Sequence, residues 1–222
     1  NAPDGEAPLN VALILHQHQP YYRNVATDFY ELPWVRVHAI HEYVDSPGIL
    51  SQYPDTNVTY NIVPSLIEQL EDYADPETLD DHTQYAVMTW PVDDNGLPTG
   101  FPEDLTQRQK WDMQGEYFRI QPWVYGVEAN DSTYGWMANA SAAFNRLFTA
   151  WQDDDRTIMD SNGSFMAQDM IDLATVFHLF QLSAPHVQGE FSDLETDDGA
   201  PHRNETIIGL FEQGAPYSVE DF

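Results

Sequence analysis

The sequence predicts an α/β fold with parallel strands, and three observations carry that expectation. Two runs, 10–18 ("NVALILHQH") and 57–63 ("NVTYNIV"), are short, apolar and rich in β-branched or aromatic residues, as buried strands are. Each is followed by a segment whose apolar residues recur at helical spacing. The resulting order of strand, helix, strand, helix opens folds in which helical crossovers join parallel strands.

Residues 1–9 ("NAPDGEAPL") are small, polar and proline-bearing, and are expected to form a loose leader. Residues 10–18 begin as a continuous apolar run, the pattern of a central strand buried on both faces. Pro20 cannot donate to a sheet ladder, so the strand should stop near Gln19. Over 33–45, Pro33 opens a helix whose apolar stripe is Trp34, Val37, Ile40 and Val44. The strand at 57–63 is broken by Pro64 and Ser65, and "LIEQLEDY" follows as a helix with Leu66, Ile67 and Leu70 on one face.

The character then changes. Residues 74–104 hold many turn formers ("DPETLDD", "PVDDNGLPTG") and are expected to be loop around one short apolar piece, opening an insertion-like region over 74–160. Helices are expected over 104–119, 134–152 and 164–182. The last carries Met166, Met170, Leu173, Phe177 and Phe180 on one stripe, with Ser164 as its cap. An acidic loop over 185–204 and a short helix over 205–213 complete the chain. There are no repeats, and only two strands are convincing.

Composition limits the partners. The 222 residues carry 37 acidic and 8 basic side chains, a formal net charge of −29, with Lys110 the only lysine. Nucleic acid is excluded as a partner because phosphate neutralisation needs Lys and Arg, and anionic membrane surfaces are disfavoured for the same reason. The longest apolar run, "VALIL", is far short of the roughly 20 residues of a membrane span, so the chain is expected to be soluble. Its acids are dispersed, which describes a solvated acidic surface. Such self-repulsion is tolerated where salt screens it, with a Debye length of about 3 Å at 1 M, so a salt-loving source is expected. No cysteine is present, which rules out disulfides and thiolate sites but leaves the compartment, cytoplasmic or secreted, undecided. The chain begins at Asn1, in keeping with removal of an upstream segment, and no secretion signal is visible. Glycosylation sequons start at Asn57, Asn130, Asn139, Asn162 and Asn204, more than the composition leads one to expect.

The stretch "LILHQHQPYY", 13–22, places His16, His18 and Gln19 at the end of the first strand. Residues two apart on a strand share a face, so the two imidazoles point the same way. Ligand sites of parallel α/β folds lie at the carboxyl ends of strands, and Asn61 ends the second strand. Three readings of this rim follow. The histidines could be satisfied by buried carbonyls as a structural cap. They could hold a divalent cation, as His-x-His does at a first barrel strand in some hydrolases. That reading needs further ligands at later strand ends, whereas His38, His41, His82, His178, His186 and His202 fall in expected helices or loops. Third, neutral donors and acceptors flanked by the aromatics Tyr21, Tyr22, Tyr30 and Trp34 suit a carbohydrate. The third accounts for most of the cluster, and neither a metal nor another cofactor is expected.

"HQHQPYY", "LPWVRVHAIHEYVD" and "NVTYNIVPSLIEQLEDY", in that order, closely resemble the N-terminal part of glycoside hydrolase family 57, of its α-amylase and amylopullulanase type. The family's His-Gln-Pro motif is met by His18, Gln19 and Pro20. The likeness is strong over 10–73, poor over 74–160 and weak but collinear over 160–222. It implies that 10–222 is the N-terminal portion of an incomplete (β/α)7, TIM-like barrel with helical insertions. It further implies a retaining enzyme acting on α-glucans without a cofactor, with His16, His18, Gln19, Trp34 and Asn61 lining the substrate cleft. Retention requires two carboxyl groups about 5–5.5 Å apart. The family's pair lies beyond the matched segments, and Glu116 and Glu190 do not end convincing strands, so no catalytic residue is identifiable. Three explanations of the short barrel stay open: a fragment of a longer enzyme, a chain completed by a second one, or a catalytically silent glucan-binding or interaction module.

Overall fold

A computed structural model describes residues 10–118, 135–153, 165–190 and 203–222. The two expected strands form as β1 (Leu13–Gln17) and, after a small hairpin of β2 (Arg23–Asn24) and β3 (Phe29–Tyr30), β4 (Val58–Ile62). β1 and β4 pair in parallel, with Leu13 opposite Val58 and His16 opposite Asn61. β1 ends at Gln17, three residues before Pro20 and two before the expected stop near Gln19.

Helix α1 (Trp34–Ala39) and helix α2 (Glu42–Ser51) replace the single helix expected over 33–45. The break lies at Ile40 and His41, where His41 takes φ −132° and ψ −95°. The Ile40 carbonyl is used outside the helix, accepting from the backbone N–H of Ser183 at 3.0 Å. A tertiary bond thus takes a carbonyl that a continuous helix would have used internally, something no periodicity records. Across this break the four-apart pairs His38–Glu42 (2.9 Å) and His41–Asp45 (3.4 Å) form.

Helix α3 (Pro64–Asp72) starts directly after β4, with Pro64 in the opening position that needs no donor. Its buried face is Leu66 and Gln69, not the expected Leu66, Ile67 and Leu70; Ile67 is 46% exposed. Residues 74–104 are loop apart from a short 3-10 turn at Thr83–Tyr85. This loop is anchored, because Tyr85 and Trp90 are buried in the main core together with the nearby Leu105.

That core is helical. It joins α4 (Gln107–Tyr117), α5 (Ala138–Asp153), α6 (Ala167–Leu179) and α8 (Glu205–Gln213), with the single-turn α7 (Ala184–Val187) between the last two. Thr106 caps α4 reciprocally with Gln109. The cap expected at Ser164 lies outside the described residues; at the start of α6 the Asp169 carboxylate accepts from the Met166 backbone N–H at 2.9 Å. Met170, Leu173, Phe177 and Phe180 are buried as expected, whereas Met166, preceding the first turn, is 59% exposed. The last helix occupies 205–213 and is capped by the Asn204 side chain.

The burial expected of β1 is overturned. Leu13, Ile14 and Leu15 are 49%, 56% and 41% exposed, and Ile62 of β4 is 48% exposed. Among the described residues the sheet has only two strands, so β1 lacks the second neighbour and the covering layers that bury a central strand.

Candidate functional site

Parallel pairing brings the carboxyl ends of β1 and β4 to the same rim, one residue before each strand stops. There Asn61 Nδ2 lies 3.1 Å from His16 Nδ1. An amide nitrogen only donates, so His16 Nδ1 accepts and the proton of the neutral imidazole sits on Nε2, directed away from Asn61. His18 presents its ring edge-on to His16, with centroids 6.1 Å apart. Both histidines and Asn61 are exposed, and no backbone carbonyl hydrogen-bonds to their side chains among the described residues. The loop beyond is built from amides and phenols. Gln19 Oε1 accepts from the Tyr22 hydroxyl at 2.9 Å, and the Tyr21 hydroxyl donates to Glu68 Oε1 at 2.9 Å.

One residue that fixes this loop escaped the sequence reading. Gln69 is fully buried in α3. Its Nε2 donates to the carbonyls of Pro20 (3.1 Å) and Ser65 (2.9 Å), and its Oε1 accepts from the Tyr22 backbone N–H at 2.9 Å. Gln69 therefore clamps the turn after the His-Gln-Pro motif to the helix that follows β4. The available signal was a glutamine three residues after Leu66, on the face a helix of this pattern buries.

Trp34 opens α1 and is 39% exposed. Among the described residues no hydrogen bond or ring contact joins it to His16, His18, Gln19 or Asn61. Its ring meets that of His82 edge-on at 6.4 Å, and His82 packs in turn on Phe177 at 4.9 Å. Beside this contact lies a second polar cluster built around Asp80, which is fully buried. Arg36 grips its carboxylate with Nε at 2.7 Å and Nη2 at 3.3 Å, and the backbone N–H groups of His82 and Thr83 donate to it at 3.0 Å each. Burial alone would raise the Asp80 carboxyl; the charge and hydrogen bonds of Arg36 outweigh it and hold the group below its ordinary value. This is a structural hub tying α1 to the 74–85 loop.

The rim thus offers imidazole and amide groups with tyrosines beside them, donors and acceptors able to hydrogen-bond a hydroxyl-rich ligand. No carboxylate hydrogen-bonds to His16, His18, Gln19 or Asn61 among the described residues, and no group of three or more His, Asp or Glu there is placed to hold a metal ion. Nor is any helix there long and apolar enough to cross a membrane.

The model of glycosyl hydrolase family 57 matches residues 12–177. The chain belongs to that family. The match begins in the residue before β1, takes in both rim strands, Gln69 and the Asp80 hub, and ends within α6. It runs through 74–160, where the likeness read from the sequence is poor, and leaves the C-terminal likeness beyond 177 outside. Neither a curated protein nor a solved structure matches the chain. Family 57 membership makes a carbohydrate the substrate class and glycoside hydrolysis the general activity.

Proposed function

We propose that this chain forms the first rim segments of an α-glucan cleft in a retaining, α-amylase- or amylopullulanase-like glycoside hydrolase acting on starch- or glycogen-type chains. The observation that carries the reading is the His16–Asn61 bond across parallel strand ends, with His18 beside it. His16 Nε2–H, His18, Gln19 and the free positions of the Asn61 amide bind sugar hydroxyls, and Trp34 shapes a wall of the cleft. The barrel is the incomplete (β/α)7 type, and 10–222 supplies its N-terminal portion. The exposed apolar residues of β1 and β4 support this, since further strands and covering layers would bury Leu13, Ile14, Leu15 and Ile62. Those strands come from the remainder of the domain or from a second chain.

Breaking the glycosidic bond by retention requires an attacking carboxylate and an acid about 5–5.5 Å apart. The lack of any carboxylate hydrogen-bonded to the rim groups within the described residues favours one second reading, a glucan-binding or interaction module that is catalytically silent. One experiment separates the two: native mass together with release of reducing sugar from soluble starch, in molar salt. Hydrolysis by a species whose mass exceeds that of one 25.4 kDa chain supports the completed enzyme. Starch binding without sugar release supports the module, and absence of both overturns the α-glucan reading.

A further inference from the structure

Three of the five sequons fall within the described residues, at Asn57, Asn139 and Asn204, and the fold treats them differently; those at Asn130 and Asn162 lie outside. N-linked glycosylation needs two side chains at once: the asparagine amide as acceptor and the hydroxyl two residues on, which the transferring enzyme reads. Both must reach solvent in a segment that can be drawn out. Asn139 fails on each count. It lies in α5, its Nδ2 donates to the Glu212 carbonyl, and Ser141 is only 4% exposed. Asn57 is exposed, but Thr59 is fixed in the ladder opposite Ile14, so presenting the pair would peel β4 from β1.

The third sequon meets both conditions. Asn204, Glu205 and Thr206 are exposed in succession. Asn204 Oδ1 accepts from the Ile207 backbone N–H at 3.1 Å and so caps α8. Its Nδ2, the atom a glycan takes, makes no hydrogen bond among the described residues, and neither does the Thr206 hydroxyl. The Asn204 backbone N–H donates to the Val187 carbonyl at 2.8 Å. That bond holds the residue beside a cavity of about 460 Å³, lined also by Leu182, Val187 and Ile207, so the amide has room next to it for a linking sugar. The N–H groups of a first helical turn have no intrahelical acceptors, and helix ends fray. Asn204 and Thr206 can therefore be drawn into an extended acceptor conformation without opening the core.

We propose that Asn204 carries an N-linked glycan. The donor is a sugar chain held through its anomeric carbon on a lipid phosphate. Asn204 Nδ2 attacks that carbon. The C–N bond forms as the C–O bond to phosphate breaks, the phosphate leaves with the electron pair, and one amide proton is lost to a base. Oδ1 takes no part, so the cap of α8 survives the modification. The assignment is independent of the α-glucan reading.

The test is mass spectrometry of the full chain purified from its source organism, with peptide fragmentation to place each addition on its residue. The native chain should exceed its sequence mass by a whole number of sugar residues, and Asn204 should carry sugar. Asn204→Asp, produced in the same organism, keeps a capping oxygen and should lose the addition at 204 completely. Thr206→Ala keeps the asparagine and should lose it too, whereas Thr206→Ser retains the hydroxyl and should keep it. An unmodified Asn204 in the native chain overturns the proposal. So does an addition at 204 that survives Thr206→Ala, or a glycan found on Asn139.

Discussion

Asn61 Nδ2 donates to His16 Nδ1 at 3.1 Å between two strands that are parallel and in register, His16 opposite Asn61. The bond fixes one imidazole nitrogen as an acceptor and leaves the other N–H for a ligand. Because both side chains are exposed, they contribute little to the fold. Asn61→Ala and His18→Ala should each change stability by no more than about 0.5 kcal/mol. Each should weaken binding of maltooligosaccharides about tenfold or more, the loss of one to two well-made hydrogen bonds. Thermal melting and calorimetric titration of the same samples check both statements.

Gln69 behaves oppositely. Its amide holds Pro20, Tyr22 and Ser65 from a fully buried position. Gln69→Leu has a similar volume but leaves the Tyr22 N–H and the Pro20 carbonyl without it, and should destabilise by about 1–3 kcal/mol. Glucan affinity should fall as well, since the loop bearing Gln19 loses its anchor. Gln69→Glu keeps the acceptor for Tyr22 N–H but turns a buried carboxylate oxygen toward the Pro20 and Ser65 carbonyls, so denaturant unfolding should show it no more stable than Gln69→Leu.

Arg36→Leu removes the countercharge of a fully buried carboxylate. Leaving Asp80 unpaired should cost about 3–5 kcal/mol, the usual penalty for breaking a buried ion pair from one side. Urea unfolding of the variant reads the loss directly.

Acidification has two opposed components. Burial lowers His82 to about 4 and His178 to about 3, from an ordinary value of 6.5. Their contribution is full above the unfolded value and is lost as pH falls through 6.5, because the unfolded chain takes up protons first. Asp81 is raised, from 3.8 to about 7, so between those values the folded state binds the extra proton and acid stabilises it. The protein should lose stability between pH 7 and pH 4, and Asp81→Asn should lose it more steeply because the opposing component is gone. Melting temperatures across that window settle the sign.

With a net charge of −29, the fold is opposed by its own field at low ionic strength. The melting temperature should rise steadily as sodium chloride is raised from about 0.01 M to 1 M, over which the Debye length falls from roughly 30 Å to 3 Å. A melting temperature indifferent to salt contradicts the expectation of a salt-loving source.

Local signals were legible and tertiary ones were not. Pro20 and Pro64 signalled the ends of both strands to within about two residues, although Pro64 opens α3 instead of preceding it, and the parallel pairing followed from strand–helix–strand order, so the pairing of His16 with Asn61 was accessible from sequence. The break at Ile40 was not, because it depends on Ser183, more than a hundred residues away. Gln69 was hidden since a buried glutamine reads as surface, and its role exists only through backbone groups of another loop. The exposure of Leu13 and Leu15 was missed for a different reason: an apolar strand reads as buried, whereas burial depends on neighbours and covering layers that composition does not reveal.

The rim itself is the central claim, and calorimetric titration of the chain with maltoheptaose in molar salt, alongside His18→Ala, tests it most directly. Saturable binding is expected, weakened about tenfold by His18→Ala while melting stays unchanged. Equal binding by both proteins, or a His18→Ala variant that melts lower and binds as well, would contradict it.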